Sequence, residues 1–540
     1  MLTFIIQKLK YWKQKNSSFS KSKDSSRQNT RPPTVPHTQL STSLKKNMKT
    51  FSSILGTSSD IKIHEFSFGV KPLVKGALIF IDGLVSNEII TESIMKPLTL
   101  SFGQTETLPA KRQFIEKIKE QVLCSGDVTE NCYEDSLVQS CLCGDTVLLI
   151  DGFHDGLVIS SKGWEKRSVT EPQTESVARG PREGFTENYR TNTSLLRRKI
   201  RNPALRMDEM VIGEKTQTSV AVVYLKGVAD PKLIDRIKQR LKSIHVDSIL
   251  ESGYIEQYIE DAPFSIFPTI GKSEKPDVVA AKILEGRAAI IVDGTPFVLT
   301  APMLFLEEFQ TAEDYYTRTI YASFIRILRY ITFFFAVFGP AIFVAITTFH
   351  QELIPTTLLL TIANAREGTP FPAFIEALLL LLAFEILREA GLRLPRPIGQ
   401  AVSIVGALVM GDAAVSAGLV GAPMVITVAI TAMSEFVTPE CENAIVILRL
   451  IFLVLSAVLG GYGIALGTLG LLIHLASLES FGVPYLTGLA PMHKHTLEDF
   501  FVRAPLWSMT KRPDTFAHRD KTRRRFFIPP ASAEDQSEKQ

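Results

Sequence analysis

A charged side chain inside an apolar helix is expensive unless it meets a partner or water, so isolated ionisable residues in apolar runs are where chemistry is sought first. Glu376 and Glu385 bracket the uncharged run ALLLLLAF. Nine residues apart, at about 100° per residue, they point to opposite faces of one helix and cannot form one paired site. Glu385, Arg388 and Glu389 share a face by three- and four-residue spacing, which predicts a structural ion pair at the helix end. Glu376 is thereby left free for an aqueous ion path. Asp412, in ALVMGDAAVSAGLVG, carries the one charge between Pro397 and Ser434. Either it faces a water-filled vestibule together with Ser416, or the glycines around it mark a surface loop. Glu376, Asp412 and Ser416 are the candidate ion pathway.

Ala414 and Gly418, and separately Gly463 and Gly467, place small residues at four-residue steps, a pattern that permits close helix contact in lipid. His474 is expected as a packed, hydrogen-bonded histidine, because no acidic residue lies a helical turn away. Nothing in the chain has the pattern of an enzyme: P-loop, HExxH and GxSxG signatures are all absent. The five cysteines have no paired CxxC spacing and no companion histidine cluster, and Cys141 and Cys143, read as neighbouring strand positions, would point to opposite faces. No metal and no cofactor are expected. Asp82, Asp151 and Asp293 each precede a glycine, the chemistry of a tight turn.

The elements that must position these residues fall into two halves. The chain has 540 residues, of which 45% are hydrophobic and 21% charged. A mean hydropathy of +0.14 is too apolar for an ordinary soluble protein and too charged for a pure membrane bundle. Four apolar regions lie in the C-terminal half: Tyr330 to Phe349, Pro372 to Leu387, Ile398 to Ser434 and Ala444 to Leu478. The first is long enough to span a bilayer, with Pro340 as a kink. The third and fourth are longer than one span needs, so each is a tilted, broken helix or a close pair. Arg326 and Arg329, then Arg388, Arg393 and Arg396, then the basic tail put both termini inside. That requires four or six crossings; four are preferred, with interfacial pieces such as His350 to Gly368.

In the polar half, GALIFIDG and GDTVLLIDG form one pair of strand-like runs, and SVAVVYLKG and GRAAIIVDG a second. Gly83 to Gly152 is 69 residues and Gly227 to Gly294 is 67, so the pairs read as copies of one unit. Helices are predicted from Pro231 to Ile244, capped by Asp230, and around Asn188 to Ile200. The fold class is a duplicated α/β cytoplasmic domain followed by an α-helical transmembrane domain. Its parts are a basic disordered arm (1–55), two α/β subdomains (56–165 and, with a linker, 166–320), a helical transmembrane domain (321–490) and a basic tail (491–540). The arm, with eleven lysines and arginines against Asp24 up to residue 50, is either lipid-seeking or simply solvated.

The stretches ARGPREGFTENYRTNTSLLRRKIRNPALRM, EGRAAIIVDGTPFVLTAP, PFPAFIEALLLLLAFEILREAGLRLPRPIGQAVSIVGALVMGDAAVSAGLVGAPMVI and FGVPYLTGLAPM closely resemble the A subunit of the GerA-type spore germination receptors, the nutrient germinant receptor family. The resemblance implies a multi-pass protein of the spore inner membrane, with its N-terminal domain and tail on the spore core side. It also implies a transporter-like B subunit and a lipoprotein C subunit as partners, and self-association into a ligand-gated channel for monovalent cations. Asp412 stands where that family usually has glutamine, and Gly488 where it has proline. The rival readings are a secondary transporter that binds the nutrient itself and a non-conducting scaffold.

Overall fold

The computed structural model of the chain describes residues 38–523 except 57, 69–72, 102–110, 120–122, 124–126, 164–174, 176, 394–410, 439–440, 491–498, 507, 510, 514–515, 518–519 and 521. The basic run from Lys8 to Arg31, Cys124, Arg396 and the start of the third apolar region lie outside the described residues. The chain divides into an α/β unit, residues 1–260, 270–302 and 506–540, and a helical unit, residues 261–269 and 303–505. The boundary expected at residue 320 is thus displaced.

The α/β unit begins with α1 (Leu44–Leu55), which corrects the expectation of a disordered arm as far as residue 55: Leu44, Phe51 and Leu55, at helical spacing, are buried. It continues through β1 (Ile61–Phe68), β2 (Val74–Ile81), β3 (Val128–Asn131), α2 (Glu134–Leu142), β4 (Thr146–Ile150) and β5 (Gly156–Ile159). The strands are antiparallel in the order β1-β2-β4-β5-β3. Alternate residues of β2 serve two cores. Ala77, Ile79 and Ile81 pack with Phe51, Leu55, Leu137 and Cys141 on one face, and Leu78 packs with Ile94, Leu98, Phe114 and Ile118 on the other. Burying each large aliphatic side chain contributes about 1.5–3 kcal/mol. Coverage of both faces explains why GALIFIDG is continuously apolar and not alternating. Cys141 and Cys143, expected on a strand, stand instead at the end of α2. Burial, and then the charge of Asp145, push the Cys141 thiol up to about 12.

A second set follows: α3 (Tyr189–Lys199), β6 (Leu205–Ile212), β7 (Thr218–Leu225), α4 (Pro231–Lys242), α5 (Ser252–Ile259), β8 (Gly271–Ser273), α6 (Pro276–Glu285), β9 (Ala288–Val292) and β10 (Val298–Ala301). Its sheet is again antiparallel, in the order β6-β7-β9-β10-β8. Asp230 caps α4 by accepting from Lys232 N at 3.1 Å. Two local devices occur in both sets. The buried Asn47 side chain accepts from Ser41 N at 2.9 Å and donates to Ser41 O at 2.6 Å; Asn192 does the same with Thr186 at 2.8 and 2.5 Å. Asp151 accepts from Leu44 N at 2.9 Å and Asp293 from Tyr189 N at 3.1 Å. Each Asp-Gly turn therefore satisfies the otherwise orphaned N–H at the start of its own leading helix. Gly152 (φ 87°) and Gly294 (φ 91°) take the left-handed conformation that these turns require.

The two sheets are joined through α3. Arg197 is fully buried and grips Asp60, 1% exposed, through two hydrogen bonds of 2.9 and 3.0 Å. Its Nη1 donates to Leu205 O at 3.2 Å and to Asn202 O at 3.4 Å, while Ser58 Oγ donates to the same carboxylate at 2.6 Å. The pair is thus enclosed and hydrogen-bonded on both sides, the condition under which a buried ion pair is tolerated.

The helical unit contains α7 (Thr319–Thr348), α8 (Thr356–Arg366), α9 (Ala373–Arg393), a short helix at 411–416, α10 (Ala422–Glu435) and α11 (Glu442–Ser477). Among the described residues, α7 and α11 are long and apolar enough to cross a membrane. Pro340 lies within α7, which continues through it. The helix α11 is in fact two arms, because Gly460 (φ 60°, ψ −140°) breaks it. A Cβ at Gly463 would sit 2.2 Å from Leu455 O, and one at Gly467 would sit 2.7 Å from the Phe452 ring. In a straight helix those pairs would be separated by about 12 and 22 Å, so the second arm folds back along the first. The third apolar region turns back as well: a Cβ at Gly411 would lie 3.5 Å from Val425 Cγ1, against about 21 Å in a straight helix. Of the two alternatives left open for these regions, each shows a reversal within its described residues.

Candidate functional site

The first turns of α7 are pinned by buried charge. Arg326 meets Asp314 at 3.2 Å and Asp499 at 2.8 Å, and Arg329 meets Asp314 at 2.9 Å. Residues 499–505, expected in a basic tail, therefore belong to the helical unit; Arg503 is buried there and donates to Thr317 O at 2.9 Å.

Glu376 opens α9 and is 0% exposed. It was expected to stand free and does not. Its carboxylate accepts from Gly421 N at 2.9 Å and from Thr369 Oγ1 at 3.3 Å, and pairs with Arg366 at 3.3 Å. Gly421 is the residue that precedes α10, so Glu376 supplies the negative charge that a helix start favours. Nine residues on and on the opposite face, Glu385 meets Arg388 at 2.8 Å and also Arg449. Arg388 in turn bonds Glu435 at 2.7 Å and Glu442, and Arg449 bonds Glu435 at 2.8 Å. Three carboxylates and two guanidiniums from α9, α10 and α11 make one network, with Glu435 and Arg449 both buried. Glu389 is outside it: it faces solvent and pairs with Arg393 at 2.8 Å, because a one-residue step from Arg388 turns it about 100° away.

Asp412 and Ser416 are both exposed in the 411–416 helix, and no ion pair is made by Asp412 among the described residues. Neither approaches Glu376 within hydrogen-bonding distance. Gly418 lies past the helix end with φ 67°. There Leu419 N donates to Ala414 O and Gly418 N to Val415 O, both at 3.0 Å, a Schellman C-cap. Ala414 and Gly418 therefore share a helix terminus and not a packing stripe. Gly463 and Gly467 do allow close packing, but against the chain's own first arm. His350, at the end of α7, accepts from Gly461 N at 3.2 Å and so covers an N–H freed by the break. His474 Nε2 lies 3.1 Å from Ser265 Oγ, a hydrogen-bonded contact within the helical unit.

Sequence reasoning missed Arg449, Glu435, Glu442 and Arg366 as members of these clusters. Arg449, alone in AIVILRLIFLVL, carried the same signal that singled out Glu376.

The helical unit is thus a bundle of apolar helices held together by buried ion pairs. The family described as Bacillus/Clostridium GerA spore germination protein matches residues 49–515, and the chain belongs to it. "Spore germination protein KA" of Bacillus subtilis is 49% identical over 486 residues, 90% of this chain and 88% of that protein. "Spore germination protein GerLA" of Bacillus cereus is 37% identical, over 90% of this chain and 98% of that one. Among solved structures, the N-terminal domain of the A subunit of the Bacillus megaterium spore germinant receptor GerK3 is 36% identical, covers 50% of this chain and 98% of that chain, and has a TM-score of 0.39.

Proposed function

We propose that the chain is the A subunit of a nutrient germinant receptor that self-associates into a ligand-gated channel for monovalent cations, in the inner membrane of the spore. Its α/β half, two copies of one unit, lies on the core side with the tail and couples the channel to a transporter-like B subunit and a lipoprotein C subunit. An even number of crossings, four or six, keeps both ends on that side, with chain reversals at Gly418 and Gly460. The observation that carries the reading is the buried charge distributed along the bundle: Glu376 at the start of α9 and α10, and the Glu385, Arg388, Glu435, Glu442 and Arg449 network at their other ends. Charge at such depth is characteristic of proteins that move ions or protons. Asp412 and Ser416 remain candidates for the mouth of the path.

The test is cation flux through the purified chain in liposomes, beside cation release from spores that carry the whole receptor. Flux that depends on the chain supports the channel; liposomes that stay tight under all conditions, with or without the B and C subunits, refute it. One observation favours a secondary transporter instead: broken helices with glycine reversals are a common substrate-site architecture in such proteins. Saturable binding of labelled nutrient to the isolated chain would favour that reading.

A further inference from the structure

We infer that Arg366 is a built-in counter-ion that masks Glu376 at rest, and that withdrawal of α8 unmasks it; this rests on the channel reading above. The helix α8 is unusual within the unit. It contains LLL and Ile362 yet fully buries no residue, Leu359 and Ile362 being half-buried, so little apolar packing within the chain fixes its place. It is anchored at its C-terminal end, where Arg366 meets the Glu376 carboxylate. That end is seated closely on the 417–421 reversal: a Cβ at Gly421 would lie 3.1 Å from Arg366 Cγ and 3.5 Å from Ala365 O, and one at Gly418 would lie 3.6 Å from Gly368 O.

Three segments thus converge on one fully buried carboxylate: the end of α8, the start of α9 and the turn before α10. In this arrangement Glu376 has its charge met by a guanidinium, a hydroxyl and a backbone N–H, and has nothing left to offer a passing cation. The arrangement is therefore the non-conducting one. Arg366, 23% exposed at its side chain, is the partner free to leave, because it sits on a helix none of whose residues is buried. Its Nε is enclosed and makes no hydrogen bond among the described residues, so one of its donors gains a partner on moving out to water.

The experiment compares wild type with Arg366→Gln, Arg366→Lys, Glu376→Gln and the Arg366→Gln/Glu376→Gln double variant in the whole receptor, measuring cation release without nutrient at matched protein levels. Arg366→Gln is expected to raise nutrient-independent release by roughly tenfold or more, since losing one partner of a buried pair is a shift of more than one tenfold step. Arg366→Lys is expected to stay near wild type, and the double variant to fall back to the low release of Glu376→Gln, because the unmasked charge is gone. Release from Arg366→Gln equal to wild type, or a leak that persists in the double variant, overturns the inference. Should Arg366→Gln not accumulate, Arg366→Met, which keeps the apolar stem and removes the guanidinium that meets Glu376, must produce the same leak. Flux from wild-type liposomes with no Arg366 effect sinks this inference alone; absence of wild-type flux sinks the channel reading beneath it.

Discussion

Removing Arg197 tests whether one buried ion pair holds the two sheets together. Arg197→Met keeps most of the side-chain volume but leaves Asp60 enclosed at 1% exposure, with Ser58 Oγ its remaining hydrogen-bond donor of those described above. Breaking a buried pair from one side costs about 3–5 kcal/mol. Converting Asp60→Asn in the same chain removes the stranded charge, so the double variant is expected to regain more than half of that loss. For a unit of this size, each kcal/mol moves Tm by about 2–4 °C, and the single variant should melt on the order of 10 °C lower. The assay is thermal unfolding of the intact chain in detergent, with amide hydrogen exchange read separately on β1 and β6. Exchange should quicken in both strands, since both flank the pair. A single variant that melts within about 2 °C of wild type, or a double variant worse than the single, would refute the idea that charge compensation locks the sheets.

Gly467→Leu should overpack the hairpin against Phe452 and Leu455, costing about 1–3 kcal/mol by thermal unfolding while leaving any self-association in detergent unchanged; loss of assembly with an unchanged Tm would contradict the intrachain contact. Asp230→Ala should cost about 1 kcal/mol through loss of the α4 cap, seen as faster exchange at the first turn of that helix and not elsewhere. Cys141 should resist iodoacetamide at pH 8 in the native chain while the half-buried Cys132 and Cys143 react, because its thiol is enclosed and pushed up to about 12; equal labelling would show that α2 opens. Burial holds the Glu256 carboxyl above its ordinary range, opposed by Lys272 and aided by Glu260 and Glu251. An acid whose native pKa is raised loses stability as pH climbs from the ordinary carboxylate value through the raised one. Glu256→Gln should therefore raise Tm more at pH 7 than at pH 4, and an equal gain at both would refute the assignment.

Much of the α/β unit was legible because glycine is strongly favoured where φ is positive. The Asp-Gly turns located β4 and β9 at their ends, and Pro231 with Asp230 located α4. The helix α1 was not legible, since its three lysines and the polar residues around Leu44, Phe51 and Leu55 resemble the arm that precedes it. In the helical unit, spacing correctly separated Glu376 from Glu385 and linked Glu385 to Arg388. Spacing within one helix says nothing, however, of residues contributed by others, so Glu435, Glu442 and Arg449 went unassigned. The hairpin at Gly460 was left open for a related reason. A run of 36 residues with two glycines in its middle is compatible with a long tilted helix until the contacts of Gly463 and Gly467 are known.

The paired turns at Asp151 and Asp293 also impose an order on synthesis. The first N–H of α1 waits for a carboxylate 107 residues downstream, and that of α3 for one 104 residues downstream. At about 5–20 residues per second each helix emerges from the ribosome several seconds before its clasp. The first sheet, closed by residue 159, is complete before residue 189 appears, and it then offers Asp60 to an arriving Arg197. The second half is thus built onto a finished template, and a lesion that delays closure of the first sheet would be felt as misassembly of the second.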